Sequence, residues 1–297
     1  MKGRVLMKDY VIRATSKNGE VRAFIATTRN LVEEARKSHG TTKVATAALG
    51  RTLTATSMMG LMMKNKGDEL TSIIKGDGPI GTILATSDAQ GFVRGYVANP
   101  DVQVENYPNG KLNVAGAVGT EGTLKVIKDL GLREPVNGLC PIVSGEIAAD
   151  FTYYFTVSEQ TPSAVSLGVY TTHYEVEHAG GFIVQLMPDA TEATICQLEE
   201  NVGKIKSITE MYREGLTPED VLNLVLEGLD PVILDKVEVG FRCVCSKDRV
   251  KKAFIAMGKK ALAEIIEEDH QAEVTCQFCN KKYHYDEDEL MEILKEM

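Results

Sequence analysis

The chain has 297 residues, of which 25% are charged and 43% are hydrophobic. This mixture is typical of a globular protein with one large or two smaller domains, and it excludes a wholly disordered chain. With 33 Lys and Arg against 42 Asp and Glu, the formal net charge is −9, so nucleic acid is not the expected partner because its phosphates would be repelled.

The N-terminal third predicts a β-hairpin followed by two helices. Residues 9–27 alternate as two strands around an Asn18-Gly19 turn. Helices are predicted over residues 30–39 and 42–64, and Gly40 is a typical stop signal after the first. Four methionines share one face of the second helix, and we interpret them as core residues rather than as a flexible binding face: Met58, Met59, Met62 and Met63.

The middle of the chain predicts a meandering sheet and then a return to mixed structure. Residues 69–114 are short β-branched runs separated by Gly, Asp, Pro and Asn. A helix is predicted over residues 146–160, and further strands over 165–170 and 181–186. We therefore predict an α+β core domain over residues 1–188, long enough to bury a substantial core.

Residues 189–234 predict a helical connector with one apolar stripe. Thr217 and Pro218 are typical of the N-cap and first position of a second helix, and Gly215 is expected to end the first. Gly203 and Gly228 also interrupt the segment, so it should be marginally stable alone. The stripe of the first helix has 3- and 4-residue spacing: Leu198, Val202, Ile205, Ile208 and Tyr212.

Several short patterns in the sequence do not predict a nucleotide-binding or catalytic site. Gly76–Gly81 matches the dinucleotide-binding pattern, but a β run follows it where a helix is needed, so a turn is predicted. No nucleophile elbow is present, and the five histidines have no zinc-protease spacing. We expect no enzyme; His284 alone is kept as a spare metal ligand because it follows Cys279 by five residues.

The cysteines give the strongest signal in the sequence. Cys140 and Cys196 stand alone, whereas the other four form two close pairs separated by 30 residues, Cys243 with Cys245 and Cys276 with Cys279. Two such pairs can bring four thiolates into a tetrahedron around zinc. Residues 235–297 form a module of the size that commonly needs a metal for stability. We predict one zinc ion per chain, bound by Cys243, Cys245, Cys276 and Cys279.

The charge and ligand set of this module narrow its role. Residues 235–297 hold 11 Lys or Arg against 14 Asp or Glu, which does not favour a nucleic-acid finger. Four cysteine ligands leave no open position for a catalytic zinc. A structural module or a redox switch remains, and loss of the thiolates by oxidation would release the metal and unfold the module.

The sequence resembles the redox-regulated thirty-three-kilodalton heat-shock protein family of chaperones. The resemblance extends over nearly the whole chain apart from its N-terminal extension, and both cysteine pairs match. It is carried by these segments: Phe241–Ser246, Val274–Cys279 with Tyr283, Ser144–Ala148, Ser158–Ala164 and Gly180–Phe182.

The resemblance implies an ATP-independent holdase that is inactive when reduced and zinc-bound. Oxidation would form two disulfides, release zinc, and unfold the module and the connector, so that unfolding client proteins are held and the chain dimerises. We expect the disulfides to join Cys243 with Cys245 and Cys276 with Cys279, because short loops close with little motion. The alternative is a static zinc-ribbon adaptor for a protein or RNA partner; the client-binding surface is not predicted.

The location of the protein is a separate expectation. No stretch of the sequence reaches the roughly 18 apolar residues of a membrane-spanning helix. The first ten residues are too poor in apolar side chains for a secretory signal, and Met7 offers an alternative start that makes residues 1–6 a candidate extension. We expect a cytoplasmic protein with no membrane partner.

Overall fold

The structure, a computed structural model, describes residues 8–297, so the candidate extension at residues 1–6 lies outside the described residues. The chain divides into two compact units, one ending at Arg242 and the other comprising Cys243–Met297. In residues 8–297, no helix is long and apolar enough to cross a membrane. Both units mix helices with antiparallel strands, as the predicted α+β class requires.

The first unit is built on two five-stranded antiparallel sheets. Its described strands are β1 (Tyr10–Ser16), β2 (Val21–Thr27), β3 (Glu69–Gly76), β4 (Thr82–Asp88), β5 (Val93–Val97), β6 (Gly122–Asp129), β7 (Val136–Pro141), β8 (Ser163–Thr171), β9 (Val176–Leu186) and β10 (Pro231–Glu238). One sheet has the order β10-β1-β2-β9-β8 and the other β5-β4-β3-β6-β7. The predicted N-terminal hairpin is confirmed, with β1 and β2 in register from Tyr10–Thr27 to Thr15–Arg22.

The helices of the first unit fall into an early and a late group. They are α1 (Arg29–His39), α2 (Lys43–Gly60), α3 (Val114–Val118), α4 (Ala148–Val157), α5 (Glu192–Lys204), α6 (Ile208–Arg213) and α7 (Pro218–Val225). Helix α2 contacts strands of both sheets, and 16 of its 18 residues are buried. Its many Ala and Thr side chains are small, so both sheets can approach it closely.

Helix α2 ends four residues earlier than predicted. Gly60 is its last residue, and a Cβ there would lie 2.3 Å from the Ser87 hydroxyl oxygen, so only glycine allows this approach to β4. Met58 and Met59 are buried in the core, which confirms their interpretation. Met62 and Met63 lie beyond the helix, are half-buried, and line a cavity of about 350 Å³.

The glycine-rich pattern at residues 76–81 is a connection between two strands. Gly76 is the last residue of β3 and Thr82 the first of β4, and the two strands pair directly with one another. The predicted turn is therefore confirmed. The sequence did not reveal β6 and β7, which extend the same sheet beyond β3.

The connector helices α5, α6 and α7 pack on the first sheet. Their apolar side chains form one buried cluster with alternate residues of β1, β2 and β9, such as Ile12 and Ile25, whereas Val11 and Phe24 belong to the cluster that contains α2. The sheet thus has α2 on one face and the connector on the other. The connector residues in the cluster are Leu198, Ile208, Met211, Tyr212, Val221, Leu222, Val225 and Leu226.

The prediction of one helix that carries the stripe Leu198–Tyr212 and ends at Gly215 is wrong. Helix α5 ends at Lys204, Ile205 is extended, and the Ser207 hydroxyl accepts a hydrogen bond from the Glu210 amide as the N-cap of α6. A serine that caps a new helix competes with continuation of the old one. The start of α7 is as predicted, since the Thr217 hydroxyl accepts from the Asp220 amide and Pro218 follows it.

The boundary expected at residue 235 differs from the division in the structure. Residues 231–238 form β10, which pairs with β1 at the edge of the first sheet. Beyond it, Val93 of β5 exchanges backbone hydrogen bonds with Gly240 and Arg242. The chain is therefore fixed to the first unit up to the residue before Cys243.

The second unit has a small core of its own. Its elements are α8 (Lys247–Met257), α9 (Lys259–Asp269), β11 (Gln271–Thr275), β12 (Lys282–Asp286) and α10 (Glu287–Glu296). The rings of Phe254 and Tyr285 meet edge to face with centroids 5.1 Å apart. Seven buried residues form the core: Phe254, Leu262, Ile266, Tyr283, Tyr285, Leu290 and Ile293.

Candidate metal centre

The two cysteine pairs lie on two different pieces of backbone in the second unit. Cys243 and Cys245 are on the extended segment before α8, whose N-cap is Ser246. Cys276 and Cys279 lie in the turn between β11 and β12. In this turn the Cys276 amide donates to the Lys281 carbonyl at 2.9 Å, and the Cys276 carbonyl accepts from the Asn280 amide at 2.8 Å. Pairing of the two strands therefore presents both sulfurs on one turn.

The four sulfurs converge on one point. They all lie within 4.8 Å of one another, with 3.7 Å between the Sγ atoms of Cys243 and Cys276 and 3.5 Å between those of Cys245 and Cys279. Tetrahedral zinc with Zn–S bonds of about 2.3 Å needs sulfurs roughly 3.8 Å apart. The donor set and its spacing could therefore hold one metal ion.

The thiols in this cluster differ in acidity. Burial and hydrogen bonding to the neighbouring thiols raise the pKa of Cys243 far above its usual range. Burial also opposes ionisation of Cys245, but hydrogen bonds from Tyr283 and the other cysteines outweigh it and lower its pKa to about 7. Burial raises the pKa of Cys279. Cys245 is therefore the more readily ionised member of the Cys243–Cys245 pair. The thiolate is the form that binds metal.

The spare ligand candidate His284 and the two isolated cysteines lie outside the cluster. His284 is on β12, and its Nε2 atom lies 3.0 Å from the Glu273 carboxyl oxygen across the hairpin. In the part of the chain that the structure describes, the four-sulfur group includes neither His284 nor the two isolated cysteines. Cys140 is buried in the first unit, where burial raises its pKa to about 11, and Cys196 is exposed on α5.

One contact at the centre was not foreseen from the sequence. The Tyr283 hydroxyl donates a hydrogen bond to the Cys245 sulfur at 3.0 Å. Tyr283 follows Cys279 by four residues on β12, and its ring is buried in the core of the unit. The sequence showed the tyrosine but not the turn geometry that aims it at a cysteine of the other pair.

The motif at residues 144–148 forms the turn that leads into α4. The buried Asp150 carboxylate accepts hydrogen bonds from the amides of Val143, Ser144 and Ile147 at 2.8–2.9 Å. The Ser144 hydroxyl also donates to it at 3.2 Å, so Asp150 holds both the backbone and a side chain of the turn before α4. Glu146 binds Arg51 of α2 at 2.6 Å, which ties the turn to the central helix.

Comparison with known proteins decides the family. The family model described as Hsp33 protein matches residues 9–286. The chain belongs to the Hsp33 family. The 33 kDa chaperonin of Clostridioides difficile strain 630 is 74% identical over 98% of this chain and all of its own length. The 33 kDa chaperonin of Alkaliphilus metalliredigens is 50% identical over the same shares of the two chains.

A solved Hsp33 structure supports the fold as well. The crystal structure of the 33 kDa chaperonin of Thermotoga maritima, a heat shock protein 33 homologue, has a TM-score of 0.90 and 37% identity. The match covers 97% of this chain and 98% of that one. Membership of Hsp33 makes the chain a redox-regulated chaperone that binds client proteins, and the adaptor alternative is set aside.

Proposed function

We propose that this Hsp33 chain is a cytoplasmic, ATP-independent holdase that oxidation of its four-cysteine centre switches on. The observation that carries the proposal is the convergence of four sulfurs from two separate backbone segments in a unit of only 55 residues (Cys243–Met297). A unit of this size has few apolar side chains to bury, so it depends strongly on any additional cross-link.

Zinc is the metal that we assign to the centre. Four thiolates with near-tetrahedral spacing favour Zn²⁺, and they leave no open coordination position for catalysis. When bound, the ion cross-links the segment before α8 to the β11–β12 turn and so stabilises the unit, by roughly 10–16 kcal/mol in small zinc modules. Cys243, Cys245, Cys276 and Cys279 hold it.

Oxidation removes these ligands by converting thiolates to disulfides. We keep the sequence proposal that Cys243 joins Cys245 and Cys276 joins Cys279. In the folded unit all four sulfurs lie within 4.8 Å of one another, and Cys243 contacts Cys276 while Cys245 contacts Cys279 across the two segments. Neighbour pairing is favoured when the two segments separate as oxidation proceeds, because only cysteines close in sequence then stay close in space.

Peptide mapping of the oxidised protein tests this pairing. Brief treatment with hydrogen peroxide, alkylation of the remaining thiols and mass spectrometry of the peptides should give disulfides within each pair. Dominant cross-links from Cys243 to Cys276 and from Cys245 to Cys279 would instead show that the unit stays folded during oxidation. That result would contradict switching by unfolding of the zinc unit.

The client-holding surface follows from the packing of the connector. Helices α5, α6 and α7 cover the face of the first sheet with the apolar side chains of their buried cluster. Release of these helices would expose both apolar surfaces. At about 25 cal/mol per Å², a few hundred Å² could contribute several kcal/mol to client binding before ordering costs. We propose that the active form is a homodimer, since an exposed apolar surface also favours self-association.

The direct experiment joins zinc content to activity. Reduced protein should contain one zinc per chain and four protected thiols, and should not prevent a heat-unfolded client from aggregating. After peroxide and heat, loss of four thiols should accompany release of the zinc and suppression of aggregation. Activity that rises with zinc still bound, or zinc release without activity, would refute the proposal.

A further inference from the structure

Tyr283 places a hydroxyl group against one of the four thiols. Its oxygen lies 3.0 Å from the Cys245 sulfur, and it is the donor because a thiolate can only accept. A hydrogen bond to an ionised acceptor is stronger than one between neutral groups. The contact therefore lowers the electron density of the sulfur in addition to packing the ring.

The fold holds this hydroxyl in place. Tyr283 pairs with Val274 in the β11–β12 hairpin, so its backbone is fixed on both sides of the cysteine turn. The side chain is 7% exposed and belongs to the core cluster of the unit. The Lys281 ammonium lies 5.2 Å from the centre of the ring. Backbone pairing and burial of the ring together hold the hydroxyl beside Cys245.

We propose that Tyr283 is a positioning residue that restrains the oxidation of Cys245 and so raises the peroxide exposure needed to open the zinc unit. With zinc bound, Cys245 would be a thiolate whether or not Tyr283 donates to it, so the hydrogen bond would not change the amount of thiolate. It would instead withdraw a lone pair of the sulfur from attack on an oxidant, and it must weaken before the sulfur can react. This inference rests on the proposed redox switch. It adds a residue that sets the threshold of the switch.

The reaction that Tyr283 restrains is the attack of a thiolate on hydrogen peroxide. The Cys245 sulfur forms an S–O bond as the O–O bond breaks, and hydroxide leaves, so the sulfur becomes a sulfenic acid. A second thiolate then attacks that sulfur, the S–S bond forms, and the oxygen leaves as water after taking a proton. Two sulfurs lose two electrons in total, and one peroxide is reduced to two waters.

The test compares Tyr283→Phe with Tyr285→Phe in the full chain. Tyr285 is a matched control because it lies on the same strand and in the same core, is 3% exposed, and donates to the Lys247 carbonyl at 2.7 Å instead of to a sulfur. Both zinc-loaded proteins receive hydrogen peroxide, and alkylation followed by mass spectrometry gives the rate at which Cys245 is lost. A chelator dye follows zinc release in the same samples.

We expect Tyr283→Phe to speed the oxidation of Cys245 roughly tenfold, as loss of one charge-assisted hydrogen bond would allow, and to advance zinc release. Tyr285→Phe should oxidise at the rate of the unsubstituted protein. Equal acceleration of Cys245 oxidation in both variants would overturn the inference, because it would report only looser packing of the core. No acceleration in Tyr283→Phe would overturn it as well. Failure of the unsubstituted protein to lose zinc under peroxide would instead refute the proposed redox switch itself.

A second measurement covers the case in which Tyr283→Phe does not fold. Replacing the tyrosines with 3-fluorotyrosine keeps the ring and makes the phenol more acidic, so the hydrogen bond to Cys245 becomes stronger. Oxidation of Cys245 should then be slower than in the ordinary protein at equal zinc content. An unchanged or faster rate would contradict the role of Tyr283.

Discussion

Cys245 and its three partner cysteines are brought together by two short backbone devices, a capped helix start and a hairpin turn. The Ser246 hydroxyl caps α8 and so fixes the direction of the chain directly after Cys245. The Cys276–Lys281 turn does the same for the other pair. Both devices are local, so the short spacing within each pair was enough to predict that its two sulfurs lie together; the meeting of the two pairs depends on the fold of the whole unit.

Single cysteine substitutions should separate the cluster from the isolated thiols. Cys276→Ser removes a proposed ligand, and we expect bound zinc to fall from one per chain to well below one. Cys196→Ser, on the exposed face of α5, is the control and should keep one zinc per chain. Zinc measured by atomic absorption on reduced protein decides the matter; loss of zinc from Cys196→Ser would mean that the ligands are misassigned.

Glu33 makes the folding stability of the first unit sensitive to acid pH. Burial alone would raise its pKa, but hydrogen bonds from Arg36 and the Val176 amide, with the charge of Arg36, lower it to about 2 from 4.5. Because the folded form binds the proton less tightly, this stabilisation is fully present above about pH 4.5 and is lost as the pH falls towards 2.

The Glu33→Gln variant tests the direction of this pH dependence of stability. At neutral pH we expect the free energy of unfolding to fall by about 1–3 kcal/mol, since charged hydrogen bonds are lost from a buried position. Urea unfolding followed between pH 7 and pH 3 should show the difference between the two proteins shrinking as the pH falls. A difference that stays constant or grows towards acid pH would contradict the assignment.

Among the elements, the connector differs most from its sequence prediction. The apolar stripe was read correctly, since Leu198, Ile208 and Tyr212 are all buried on the first sheet. The prediction that one continuous helix carries this stripe was wrong, because Ser207 caps a new helix after a three-residue break. A 3- and 4-residue spacing can be kept across such a break, so periodicity reports which residues are buried and not whether the helix is continuous.

Strand β10 shows a second limit of sequence reasoning. Its side chains are mostly exposed, including Val232, Ile233 and Leu234, so the burial pattern that marks a strand is absent. What defines it is pairing with β1, together with the ion pair between Arg13 and Asp235 at 3.1 Å. Long-range pairing of this kind cannot be deduced from local sequence, and the predicted boundary at residue 235 falls inside the strand.

A charge placed on the buried face of the connector should weaken its docking. Ile208 is 1% exposed in α6, so Ile208→Glu buries a carboxylate at a cost of several kcal/mol unless the helix moves away. We expect the reduced, zinc-bound variant to suppress aggregation of a heat-unfolded client without any oxidant.

Leu224→Glu is the matched control for this experiment. Leu224 lies in the connector helix α7 but is 42% exposed, so the same charge should leave docking intact and the reduced protein inactive. Light scattering of a heated client gives the activity, and zinc content confirms that the second unit is unchanged. Equal activity in both variants, or none in Ile208→Glu, would show that connector docking does not restrain the chaperone.

For the whole molecule, the structure places the four-cysteine cluster and the connector in different units. The four cysteines lie in the C-terminal unit, whereas α5, α6 and α7 belong to the unit that ends at Arg242. The account therefore requires coupling across this division, so that oxidation in one unit releases helices in the other. This coupling is its central claim, and it can be measured without any substitution.

Hydrogen exchange of the unsubstituted protein tests the coupling most directly. Reduced, zinc-bound protein should protect the amides of residues 192–226, whose helices are packed on the first sheet. After oxidation has released zinc and produced chaperone activity, the same amides should exchange rapidly, while those of α2, buried between the two sheets, stay protected. Continued protection of residues 192–226 in oxidised, active protein would contradict the account.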